Sequence, residues 1–170
     1  MRIWPCLVAT VMTLGGCVAP GPEGLELANI RPSNIVPKTS PARLATMFAD
    51  ICLDGPADAD TAAARLRAMD YVEVPARHPR AIRSFVVDDS RPAVMLGADG
   101  RSCALAAQSR TGQTERLRSL IAGRYPQATA FSAAGIEQGW VLGAGQGTVA
   151  LRRVVRPGKP SELIVLRQRG

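Results

Sequence analysis

Chemistry in this 170-residue sequence would have to come from one histidine, four cysteines and scattered aspartates. A Ser-His-Asp or Cys-His mechanism needs a buried, oriented imidazole. His78 instead lies between Arg77 and Pro79 in a stretch that reads as a solvated loop. No GxSxG or HExxH motif is present. Asp88 and Asp89 are paired acids in sequence only. Neighbours on a strand point to opposite faces, so a strand end entering a turn explains them better than general acid–base work. Asp54, Asp58 and Asp60 surround Gly55-Pro56. They lack the spacing of a calcium loop and suit helix caps. Gly143-Ala144-Gly145-Gln146-Gly147 has the glycine content of a phosphate cradle. Strand-forming residues follow it where a helix N-terminus is required, so a hairpin turn or bulge is expected. No catalytic residue, cofactor or metal follows from these groups.

Basic residues give the strongest binding signal. Arg152, Arg153, Arg156, Lys159, Arg167 and Arg169 occur close together, with only Glu162 opposing them. Guanidinium groups favour phosphate and carboxylate, so an anionic partner is one expectation for these six. Residues 17–100 carry 9 basic and 11 acidic groups, whereas residues 101–170 carry 11 and 3. The plainer reading is solvation, since 19 of the 21 basic residues are Arg and no basic run exceeds two.

The N-terminus reads MRIWPCLVATVMTLGGC. Arg2 precedes an uncharged apolar stretch from Ile3 to Leu14, closed by Gly15-Gly16. This order is that of an export signal, and the stretch is shorter than the roughly 20 apolar residues of a membrane span. Leu14-Gly15-Gly16-Cys17 resembles the lipobox of bacterial prolipoproteins. The resemblance covers the first seventeen residues. It implies a diacylglyceryl group on the Cys17 thiol, cleavage just before Cys17, and acylation of the new amino terminus. Each buried CH₂ contributes about 0.8 kcal/mol, so two or more chains anchor stably. Val18, where an Asp would favour the inner membrane in enteric-type bacteria, implies the outer membrane with the domain in the periplasm.

Cys6 would leave with the signal and Cys17 would be lipidated, leaving Cys52 and Cys103. In an oxidising compartment a disulfide is expected. Free core thiols and a metal pair are the alternatives, the second opposed by the lack of a CxxC or clustered His.

These groups need elements to position them. Residues 18–40 hold Pro20, Pro22, Pro32 and Pro37 and show no apolar period, which reads as a flexible tether of about 25 Å. A helix is expected from Ser40 and Pro41, with Leu44, Met47, Phe48, Ile51 and Cys52 on one face. A second should span about Asp60 to Met69, capped by Asp58 or Asp60, and pack antiparallel to the first. A third is expected at Thr114 to Arg124 with Thr114 as cap. Strand-like runs fill most of the rest, with hairpins at Asp99-Gly100 and Pro157-Gly158-Lys159-Pro160.

The expected fold is α+β: an antiparallel sheet of about five to six strands with three helices on one face. The domains expected are a signal at 1–16, lipidated Cys17 with a tether to residue 40, and one globular domain at 41–170. A non-enzymatic binding or assembly module of the cell envelope fits best. Its partner would be an envelope protein or an anionic glycan or lipid, and not nucleic acid. A small periplasmic hydrolase, or an inhibitor of an envelope enzyme, is the alternative.

Overall fold

The computed structural model describes residues 36–75 and 81–170. Cys17, the signal, most of the tether and His78 lie outside the described residues. Ser40 opens helix α1 (Pro41–Phe48), its hydroxyl accepting from the Arg43 N–H at 3.3 Å. The coil then widens into a π-helical turn over Ala49–Leu53, with Asp54 N–H bonding Ala49 C=O at 2.8 Å. Helix α2 (Ala59–Ala68) is capped by Asp58, which accepts from Thr61 N–H at 2.7 Å. Helix α3 spans Gln113–Arg124.

Eight strands form one antiparallel sheet: β1 (Val72–Glu73), β2 (Ile82–Val86), β3 (Ala93–Gly97), β4 (Ser102–Gln108), β5 (Thr129–Phe131), β6 (Gln138–Gly143), β7 (Gly147–Val154) and β8 (Glu162–Gln168). Their order is β1-β2-β3-β4-β8-β7-β6-β5. The fold is thus α+β, with more strands than the expected five to six. The strand-like runs at Tyr71–Val74 and Thr129–Phe131 both form, as the short edges β1, two residues long, and β5, three. Pairing with β2 and β6 makes full sheet strands of such short runs, which brings the total above the expected number.

Two expectations about the helices fail. Helices α1 and α2 do not form an antiparallel pair; α1 packs against α3, while α2 packs against β3 and β1. Apolar stripes say that each helix needs a partner, and a sheet face serves as well as another helix. Thr114 does not cap α3 either. The helix begins one residue earlier behind Gly112, whose φ of 88° suits glycine. Gln113, 1 % exposed, accepts from Arg110 N–H at 2.8 Å and donates to Gln108 C=O at 2.9 Å.

The core lies between the helices and one sheet face. Leu44, Phe48, Leu66 and Ile121 meet Phe85, Leu105, Leu151 and Val165 there. Residues 36–40, read as the end of the tether, join the domain: Thr39 is fully buried and Gln108 N–H donates to Pro37 C=O at 2.8 Å. The β3–β4 hairpin turns at Gly100, with φ of 70°, and a Cβ there would stand 2.1 Å from Ala57 C=O. Gly100→Ala should therefore destabilise by about 1–2 kcal/mol or more, read by urea denaturation. An unchanged midpoint would refute this tight contact.

Candidate functional site

Cys52 and Cys103 form a disulfide with Cα atoms 5.4 Å apart. It ties the π-helical turn to β4. Beside it, Arg167 on β8 donates to Leu53 C=O at 2.6 Å and Cys52 C=O at 3.1 Å. Arg169 donates to Gly55 C=O at 3.0 Å. Carbonyls at a helix C-terminus carry partial negative charge, so two guanidinium groups suit them. Burial lowers the Arg169 pKa, as desolvation does for any cation. A cavity of ≈ 10 Å³ adjoins this clamp, between Ile51, Leu96, Cys103 and Arg169. It has room for about one water molecule.

The six basic residues of the C-terminal hairpin do not share one face. Register puts Arg153 level with Leu163, and Val149 level with Arg167, on the helix side of the sheet. Arg152 is level with Ile164 on the other side. Arg153 pairs with Glu137 at 2.9 Å and Arg156 with Glu162 at 2.7 Å. Arg167 and Arg169 hold backbone carbonyls, as above. Arg152 and Lys159 are exposed. Most of these cations are thus part of the domain's own bonding.

The aspartates are also dispersed. Asp54 pairs with Arg124, Asp60 with Arg83 at 2.8 Å, and Asp58 caps α2. Asp88 accepts from Ser90 N–H at 2.8 Å and from Arg91 Nε at 2.7 Å, closing a tight turn. Among the described residues, no group of three or more His, Cys, Asp or Glu could hold a metal ion.

Four carboxylates titrate low, Asp58 among them through its hydrogen bonds from Thr61. Hydrogen bonds from Ser90 and Arg91 hold Asp88 well below the usual range. Arg83 does so for Glu73, and Arg153 for Glu137. Each binds fewer protons folded than unfolded, so its contribution is full above the unfolded carboxylate range and is lost as pH falls through the depressed value. The melting temperature should be flat near neutrality and drop below about pH 4. Equal melting at pH 3 and pH 7 would show that these pairs contribute nothing.

What sequence reasoning missed is the second face of the sheet. An antiparallel sheet covered by helices on one side normally presents polar residues on the other. Here it does not. Across the centre, Met95 pairs with Ala104, Ala104 with Leu166, and Ala150 with Leu166. None of these belongs to the core cluster under the helices. Ala106 and Ile164 form the next cross-strand pair. Ala104 and Ala106 are 6 % exposed, sunk between longer neighbours. At the margins Ile82 is 51 % exposed and Val141 42 %. Phe131 lies over Gly139, where a Cβ would come within 2.5 Å of its ring. Of the described strand residues on this face, only Arg152 and Glu162 carry charge.

Compared with protein families, curated proteins and solved structures, the chain matches none.

Proposed function

We infer that this chain is an envelope lipoprotein anchored through Cys17, whose domain is a non-enzymatic binding and assembly module. The observation that carries the second part is the apolar second face of the sheet. Burying it would contribute on the order of 25 cal/mol per Å² of apolar surface, an area-driven gain that a basic hairpin does not supply. The lipobox at Leu14 to Cys17 and the Cys52–Cys103 bridge support the anchored, oxidising setting. The dispersed, internally paired carboxylates favour a binding module over a hydrolase.

Anchoring is tested by Cys17→Ala. Palmitate incorporation should vanish and the chain should leave the lipoprotein fraction. Full incorporation in the variant would overturn the anchor. Binding is tested with a photo-crosslinking residue at Val141 on the open face, against one at Arg65 on the exposed side of α2. A discrete adduct should form from Val141 alone. Equal adducts from both positions, or none from Val141, would overturn the assignment of this face.

A further inference from the structure

We propose that the open face is a homodimer interface: two copies pack sheet on sheet about a twofold axis running parallel to the strands between β4 and β8. This rests on the reading that the open face is the binding surface, and names its occupant.

The pattern of side-chain sizes carries the argument. One row across the sheet runs Met95, Ala104, Leu166, Ala150 on β3, β4, β8 and β7. The sizes alternate large, small, large, small. A twofold axis through the middle of this row reverses it in the second copy. Leu166 then lies over Ala104 of the other copy, and Met95 over Ala150. The neighbouring row runs Ala93, Ala106, Ile164, Arg152. The same axis sets Ile164 over Ala106. Arg152, the only charge in the two rows, comes over Ala93, whose small side chain leaves room for the aliphatic stem to reach the rim. One operator therefore seats a large side chain on a small one at every central position. A cyclic dimer requires such self-complementarity of one patch.

Area and charge agree. The six longer strands, of five to eight residues each, span roughly 29 Å at about 4.8 Å spacing and add about 20 Å along the strands. Such a face covers about 600 Å² per copy and about 1,200 Å² in total, the lower range of stable specific interfaces. Packed faces stand about 10 Å apart with strands inclined at about 30°, which suits alanines opposed by leucine and isoleucine. The chain carries a formal charge of +7, yet the face opposes almost no like charge. Contact between copies therefore meets little repulsion where they touch.

The test uses the full chain in its envelope with the photo-crosslinker at Val141. The adduct should have twice the chain mass and its crosslink should map to β2 of the other copy, because the axis exchanges β6 and β2. Ala104→Leu should cut this adduct at least about tenfold, since it overpacks two symmetric contacts at once. Adding Leu166→Ala should restore it by exchanging large and small on both sides. Melting of each purified chain checks that the domain still folds, and Leu166→Arg serves as a second disrupting variant. An adduct of any other mass, or one untouched by both Ala104→Leu and Leu166→Arg in folded protein, overturns the dimer. An adduct of another mass would still leave the face a binding surface, so the two readings fail separately.

Discussion

The double variant Cys52→Ala/Cys103→Ala is expected to unfold about 4 kcal/mol more easily than the parent chain. The bridge closes a separation of 51 residues, and the chain-entropy cost of freeing a loop of that size is about 4 kcal/mol. That is a large share of the roughly 5–15 kcal/mol that holds a domain folded. Both cysteines are buried, at 0 % and 4 % exposure, so the paired alanines also leave small voids. Urea denaturation should show a lower midpoint and a steeper slope, because the unbridged chain exposes more surface on unfolding. A loss below about 1 kcal/mol would mean that the bridge constrains little in the unfolded chain.

The second large effect is expected at Phe48. Its side chain is 0 % exposed at the end of α1, in the cluster shared with α3 and the sheet. Phe48→Ala should cost about 3–5 kcal/mol, the transfer loss plus the cavity that remains. Phe131→Ala is the contrast. That ring is half-buried on the open face over Gly139 and is not part of the core cluster. Its loss should cost clearly less in urea denaturation. If both variants shift the midpoint equally, Phe131 is as deeply packed as Phe48 and the open face is not open.

Periodicity reaches individual elements and stops at their partners. Ser40, the stripe from Leu44 to Cys52, and the turn at Asp99-Gly100 were legible because each depends on nearby residues. The packing of α1 on α3 was not, since about 70 residues separate them and the apolar stripe of α1 suits any apolar surface. The hairpin cations misled for a related reason. Arg167 and Arg169 look solvated in sequence, but their partners are carbonyls of residues 52–56, more than a hundred positions away. The open face did leave a signal. Strand β4 reads Ser-Cys-Ala-Leu-Ala-Ala-Gln and β8 Glu-Leu-Ile-Val-Leu-Arg-Gln, apolar at odd and even positions alike. A strand with one wet side alternates; these do not.

The strand order also governs when this domain can fold. Strands β1 to β4 form one meander and β5 to β8 another, and the two meet only where β8 pairs with β4. Among the described strands β8 is the last in the chain and so the last to leave a ribosome, yet it fills the middle of the sheet. Until it emerges, β4 and β7 are both bare edges, open to pairing with other chains. Joining them links Ser102 to Gln168, 66 positions apart, and contacts of such span slow folding toward the millisecond-to-second range. Birth of this domain is therefore a single late closure, in which two half-sheets wait for the strand that zips them.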